Sequence, residues 1–531
     1  MAGSWLAGFR PYALLTALCL MLYAPGIATI PPLDRDEARF AQATRQMLET
    51  GDFLRIRFQR EARNKKPAGI YWLQAAAVAT FSDAESTAIW PYRLPSLLAA
   101  TGAVLMLFAF GKAMVAPGAA FAAAVMLATS LALVAEAHIA KTDAALLAAI
   151  VAGQGFLGLC YRRRDLPLGA AAGFWVAEAA AILIKGPIGP GLALVTAVSL
   201  SIADRDARWL RGLRPLRGIA LTVLILAPWL IAIEHATSGQ FLGESLGHDL
   251  FGKLVGVQES HGAPPLTYIA LSLATFWPGS LFLAPALIEG WRRRDAPATR
   301  FLLAWLVPAW VLIELVPTKL PHYALPLYPA LALLAGTAIG GFANTGWARR
   351  ADLTVRGLWT LTTLALAAAL VVLGLRYGPS PFAGGAVLVI GAGAAMLFRP
   401  SLAALAALAL ALTLTLTLEL PGLDGLWLSR SAAALVAAHP PPAGEPLVAV
   451  GYNEPSLVFL LGTQLRLDSA HGAAELLEKG GEALVSDREQ AVFQQALGAR
   501  GLAARTLGAV AGTDYSTGRR LTVTLYAVGP S

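Results

Sequence analysis

The chain has 531 residues, of which 56% are hydrophobic and 14% charged, against about 25% charged in an ordinary soluble domain. That composition excludes a water-soluble globular enzyme. The formal net charge of +8 would suggest a nucleic-acid partner in a soluble chain, but here much of it sits in short breaks between apolar runs, where it reports membrane topology.

About 20 apolar residues cross the hydrocarbon core once as a helix. Runs of that kind lie near residues 12–31, 95–111, 117–134, 143–160, 168–184, 188–203, 216–234, 266–288, 300–316, 322–342, 357–375, 382–398 and 401–420, which predicts a polytopic α-helical protein with about 13 transmembrane helices. The first run also has the apolar core of a signal peptide, but it is long enough to span and has no clear cleavage pattern. Cys19 and Cys160 both sit inside apolar runs, so neither a disulfide framework nor a cysteine metal site is available.

In the loop after the first span, Ala38–Glu49 has mixed helical polarity and a stop at Gly51. Ile70–Phe81 is apolar but too short to cross. Both are predicted as helices at the membrane surface or re-entering it.

Alternate short loops then carry Arg10; Lys112; Arg162, Arg163 and Arg164; Arg205 to Arg217; Arg292, Arg293 and Arg294; Arg349 and Arg350; and Arg399. Short loops rich in Lys and Arg stay cytoplasmic, which predicts an N-terminus inside and a C-terminus outside. Residues 32–94 break the pattern locally with ten Lys and Arg, a break accepted because long loops translocate largely regardless of charge.

After residue 421 hydropathy falls, and Pro440, Pro441, Pro442 and Gly444 read as a linker. A small soluble α/β domain is predicted beyond it on the outer face. Its strands are Leu447–Tyr452, Ala483–Ser486 and Leu521–Val528, and its helices Glu454–Leu461, Ala473–Lys479 and Asp487–Ala499. The division expected is a transmembrane domain over 1–420 and an outer domain over 421–531.

Charge at a span mouth is costly and marks candidate function. Asp34, Arg35, Asp36, Glu37 and Arg39 follow the first span; Asn64, Lys65 and Lys66 precede the short apolar helix; His138, Lys141, Asp143, Lys185, His261, Lys319, His322 and Tyr323 fall at other outer ends. Several cations at one mouth suit a phosphate or pyrophosphate head group, and the carboxylates beside them are the available bases or metal ligands. The economical reading is a phosphate-linked lipid substrate with an acidic catalytic residue. The bland reading pairs the cations with anionic lipid head groups and makes the acids structural counter-ions. A secondary transporter or lipid flippase is the alternative from another class; it would need charge near the midplane and repeated or interrupted helices.

Asp36-Glu37-Ala38-Arg39-Phe40-Ala41, with Met47 to Asp52 following, resembles the first outer loop of glycosyltransferase family 39, which includes protein O-mannosyltransferases and lipid A aminoarabinose transferases. Lys66-Pro67 with Tyr71-Trp72, Thr142-Asp143, Lys185-Gly186-Pro187 and Lys319-Leu320-Pro321-His322-Tyr323 with Leu325-Pro326 are similar matches, ordered along the first 345 residues or so. The resemblance implies a C-type glycosyltransferase fold, a polyprenyl-phosphate sugar donor, a lipid, glycan or protein acceptor, and a site at the outer face of the inner membrane. It makes Asp36 the catalytic carboxylate. Arg39, Lys66, Glu37, Asp143, Lys185, Lys319, His322 and Tyr323 become substrate-binding candidates, with Glu37 also read as orienting Arg39 or nearby main chain.

No cofactor is assigned, and a divalent metal is left open with His261 as candidate ligand. Lys65 stands where the aminoarabinose transferases usually carry Glu, which removes a partner for that histidine. His248, Asp249 and Glu259 read as a solvated lid. Glu178, two helical turns before Lys185 on the same face, reads as an ion partner or a polar cavity wall.

Overall fold

The computed structural model describes residues 6–245, 262–339, 346–378, 382–442 and 444–528. The membrane part runs α1 (Arg10–Tyr23), α2 (Asp36–Thr50), α3 (Gly69–Phe81), α4 (Trp90–Met114), α5 (Pro117–Thr129), α6 (Leu131–Ala137), α7 (Asp143–Arg163), α8 (Leu168–Lys185), α9 (Ile188–Asp204) and α10 (Pro215–Ala236). It continues with α11 (Thr267–Thr275), α12 (Leu283–Arg292), α13 (Pro297–Leu315), α14 (Tyr328–Ala338), α15 (Gly346–Tyr377), α16 (Phe382–Phe398) and α17 (Leu402–Glu419). Among the described residues seven helices are long and apolar enough to cross a membrane, or eight crossings if the bent pair α5 and α6 is one.

Two apolar runs that read as continuous spans are broken. The run 117–134 bends by 59° at Ser130, and the amide of Leu131 donates to the carbonyl of Trp277 at 2.9 Å. A break at membrane depth is tolerated where protein satisfies the freed backbone group. The second run, 266–288, is divided into α11, a single turn Gly279–Phe282, and α12.

The long loop between α1 and α4 is held against the bundle by close packing. Gly51, at φ +70°, ends α2 in a left-handed turn. Gly69 begins α3 where a β-carbon would lie 2.6 Å from the carbonyl oxygen of Leu183, so only glycine lets α3 lie that near α8.

Residues 428–528 add a five-stranded sheet of order β4-β3-β5-β7-β6, formed by β3 (Leu447–Val450), β4 (Arg466–Leu467), β5 (Glu482–Ser486), β6 (Ala504–Asp514) and β7 (Arg519–Val528); β1 (Arg57–Phe58) and β2 (Glu61–Ala62) form a separate ribbon in the outer loop. The first three strands in spatial order are parallel, and β7 and β6 follow antiparallel. Side chains alternate between faces with period two. Val448, Val450, Ala483, Val485 and Tyr526 therefore face α20 (Ala470–Glu478) and α21 (Gln490–Gly498). Ala449, Leu484, Val523 and Leu525 face α18 (Leu428–Ala438) and α19 (Pro455–Leu461). Because α18 packs on this sheet, Pro440 to Pro442 join two elements of one packed unit instead of separating units.

The unit is seated on the loop between α1 and α4. Phe459 of α19 is fully buried among Ala41, Val78, Ile89, Tyr92 and Ala140. Arg45 of α2 donates to the Phe459 carbonyl at 2.9 Å, and Gln42 to Thr463 at 2.7 Å. The sheet, α2 and the α6–α7 junction thus share one end of the bundle.

Candidate active site at the bundle mouth

Consecutive helical residues point about 100° apart, and at the start of α2 that rotation separates two neighbouring carboxylates. Asp36 is exposed and, among the described residues, forms no ion pair. Glu37 is 1% exposed. One oxygen of Glu37 accepts from Arg93 Nε at 2.8 Å and from the Ala140 amide at 2.7 Å; the other accepts from a terminal nitrogen of Arg93 and from the Leu33 amide, both at 2.8 Å. Arg93 also donates to the carbonyls of Ile27, Ile30 and Pro31. A buried ion pair is tolerated only when its remaining hydrogen-bonding capacity is filled, as it is here. Glu37 has no oxygen left for a ligand, so the substrate-contact part of its expected role gives way to the orienting part, with Arg93 and main chain as what it orients.

The second group forms where antiparallel helix ends meet. Asp143 opens α7 and Lys185 closes α8, each placed favourably for its helix dipole, and Lys185 Nζ lies 2.5 Å from Asp143 Oδ1. Lys141, in the α6–α7 turn, reaches Glu136 Oε1 at 2.9 Å and Asp143 Oδ2 at 3.6 Å. His322, from the short 3-10 helix Pro321–Leu327, stands 3.5 Å from Lys141 Nζ, 3.7 Å from Asp143 and 3.9 Å from Glu136. Tyr323 stacks edge-on against His322, and Lys185 sits 5.8 Å over the Tyr323 ring. Asp36 is near enough to act electrostatically on both Lys141 and His322, which joins the α2 end to this cluster. Arg39, one helical turn beyond Asp36, is half-buried and without an ion-pair partner among the described residues, and Lys66 is half-buried before α3.

The remaining expected residues lie elsewhere or outside the described residues. The ammonium of Lys319 donates to the carbonyls of Glu314 and Val316 at 2.8 and 2.7 Å and lies over the Tyr268 ring; it closes the end of α13 instead of joining the cluster. Glu178 does not meet Lys185: its carboxylate packs against Gly153 and Gly189, and one oxygen has no hydrogen-bond partner among the described residues. His261 lies outside the described residues, as do His248, Asp249 and Glu259. No group of three or more His, Cys, Asp or Glu side chains among the described residues is placed to hold a metal, and the carboxylates of the cluster face ammonium groups. A cavity of about 780 Å³ opens at the other end of the bundle among Tyr161, Arg164, Asp204, Asp206 and Arg300. Its acids are already paired, Asp206 with Arg164 and Asp204 with Arg300.

The mouth therefore presents an open carboxylate and an uncommitted guanidinium beside a network of two ammonium groups, an imidazole and two paired acids. The dolichyl-phosphate-mannose-protein mannosyltransferase family matches residues 12–238. An undecaprenyl phosphate-alpha-4-amino-4-deoxy-L-arabinose arabinosyl transferase of Pseudomonas aeruginosa (strain LESB58) is 30% identical over 397 residues, 71% of this chain and 70% of that protein. The chain belongs to glycosyltransferase family 39. The protein of the same description from Pseudomonas savastanoi pv. phaseolicola is 25% identical over 67% of this chain and 68% of its own length. The crystal structure of ArnT from Cupriavidus metallidurans bound to undecaprenyl phosphate superposes with a TM-score of 0.77 over 98% of both chains at 19% identity, so the fold is the C-type membrane fold of that enzyme. Within this family fold, Glu136 and Arg93 also build the site, two residues outside the candidates that the sequence offers. The available signal was charge inside an apolar run for Glu136 and, for Arg93, a lone arginine at the start of a span.

Proposed function

We propose that this glycosyltransferase moves a sugar from an undecaprenyl-phosphate-linked donor to a lipid A, envelope-glycan or protein acceptor at the outer face of the inner membrane. The observation that carries the reading is the open Asp36 carboxylate, set beside Arg39 and the Lys141–Asp143–Lys185–His322 network. Asp36 takes the proton of the acceptor oxygen as that oxygen attacks the anomeric carbon. The bond from that carbon to the phosphate oxygen breaks, and the polyprenyl phosphate leaves with the electron pair. Charge grows on the departing phosphate, so cations placed there stabilise the transition state more than the bound donor; Arg39, Lys66 and Lys185 have that role, with His322 and Tyr323 lining the sugar. Asp143 holds Lys185 in place, at 2.5 Å.

The same reading counts thirteen crossings, by adding α1, α9, α14, α16 and the broken pair α11–α12 to the eight crossings already described. It takes residues 1–420 as the membrane domain and 421–531 as a periplasmic domain, with the N-terminus cytoplasmic. The names of the relatives make undecaprenyl-phosphate aminoarabinose the first donor to try, and the family resemblance of the first outer loop makes lipid A the first acceptor. The test is Asp36→Asn in purified protein: turnover falls by about two orders of magnitude or more while the melting temperature and binding of undecaprenyl phosphate stay at wild-type values. Wild-type turnover in that variant would overturn the assignment.

A further inference from the structure

Asp36 stands between two clamps. On the bundle side, Glu37 is fixed by Arg93, Leu33 and Ala140. On the other side, residues 34 and 35 are held by the outer domain. The Asp34 amide donates to the Tyr515 hydroxyl at 2.6 Å, Arg35 donates from its guanidinium to the Ser516 carbonyl at 2.9 Å, and Asp34 Oδ1 accepts from the Ser456 amide at 3.3 Å.

The part of the domain that makes the first two contacts is the tight turn between β6 and β7, and it is rigid for its own reasons. Asp514 accepts from the amides of Ser516 and Thr517 at 3.0 and 3.3 Å and from the Thr517 hydroxyl at 2.7 Å. The Tyr515 ring is braced edge-on by Trp427 at 6.1 Å. Against this platform Arg35 adopts φ +64°, ψ −103°, a conformation that a residue with a β-carbon keeps only where its surroundings over-determine it. Strain of that kind, one residue before the open carboxylate, has a positioning consequence: without the contacts at 34 and 35 the backbone relaxes and the first turn of α2 reorients.

We propose that the β6–β7 turn of the outer domain is a latch whose Tyr515 and Ser516 are positioning residues for Asp36, holding the chain at residues 34 and 35 in the arrangement that presents the Asp36 carboxylate to the bundle mouth. The proposal rests on Asp36 as the base. It gives the outer domain a direct part in the transfer, because a carboxylate about 1 Å out of place loses much of its rate advantage.

The experiment uses the full-length protein in detergent, with undecaprenyl-phosphate aminoarabinose as donor probe and lipid A as acceptor probe. Tyr515→Phe keeps the ring against Trp427 and removes only the hydroxyl. The expected result is a fall in kcat of about tenfold with donor KM changed by less than about twofold, at an unchanged melting temperature. A nitroxide on Asp36→Cys, read by electron paramagnetic resonance, becomes more mobile when Tyr515→Phe is added; Cys19 and Cys160 are buried and add little background. This arm reports the latch whether or not the probes are turned over. An unchanged nitroxide spectrum overturns the proposal, as does a kcat loss that only follows a fall in melting temperature. Wild-type turnover in Asp36→Asn together with a loosened nitroxide counts against the base assignment and leaves the latch standing.

Discussion

At the residue scale, the contrast between Asp36 and Glu37 yields two different expectations from adjacent carboxylates. Both side chains of the Glu37–Arg93 pair are fully buried. Removing one partner of such a pair leaves an uncompensated charge, at a cost of about 3–5 kcal/mol. Glu37→Gln is therefore expected to lower the melting temperature and the yield of folded protein, with activity lost in step with folded fraction, as followed by thermal shift and size-exclusion chromatography. Glu37→Gln protein that melts normally yet has no turnover would shift the base by one position. Arg39→Ala tests the phosphate side. Donor binding weakens and turnover falls further than binding does, because the departing phosphate carries more charge than the bound one; unchanged binding and turnover would leave Arg39 a surface charge. The type of these residues was legible in the sequence because charge at span mouths is selected against unless used. Which of them point at one another was not: a 100° step along α2 decides between open and buried, and the Lys319 ammonium is diverted by the bare carbonyls at the end of α13.

At the scale of elements, the seam between the sheet domain and the loop after α1 carries a pH dependence. Burial and the neighbouring Asp34 and Asp514 carboxylates push the Glu454 carboxyl up to about 7, with the Arg35 charge opposing them. Burial also raises Asp34, against hydrogen bonds from Ser456 and Tyr515. A carboxyl protonated more readily in the folded state stabilises that state fully below its ordinary value, and the contribution is lost as pH climbs toward the folded value. For Glu454 the window runs from 4.5 to about 7. The melting temperature of the wild type should then fall between pH 5 and pH 8 by more than that of Glu454→Gln, measured in one buffer series at constant salt; parallel curves would remove Glu454 from the seam's energetics. Strand β5 and helix α2 were legible because their period and stop signals are local, Gly51 ending α2 at φ +70°. The bend at Ser130 was not, since its compensation comes from Trp277, far along the chain. Helix α18 was hidden for a similar reason: a proline run follows it, and only the sheet it packs on reveals that it belongs with the sheet.

At the scale of the whole molecule, charge divides the bundle into two unlike ends. One carries Asp36, Lys141, Asp143, Lys185 and His322 beneath the sheet domain; the other carries Arg162, Arg164, Asp206 and Arg300. The sequence already contained this division in its short arginine loops, and the exception, the cation-rich stretch 32–94, is where the sheet domain is seated. Because the sheet domain, α2 and the cluster lie at one end, a single sidedness measurement fixes all three. Cysteine at Lys65 or Gln494, both exposed, should react with a membrane-impermeant thiol reagent from outside the inner membrane. Cysteine at Arg163 or Arg293, also exposed, should react only after that membrane is permeabilised. Short-loop arginines stay on the cytoplasmic side, while a sugar carried on a polyprenyl phosphate is met at the outer face. The two lines of reasoning are independent and converge on the same orientation, and Cys19 and Cys160, both fully buried, keep the background low. Labelling at position 65 exclusively from the cytoplasmic side would invert the bundle and place Asp36 among soluble nucleotide sugars, where a lipid-carried donor would no longer be required.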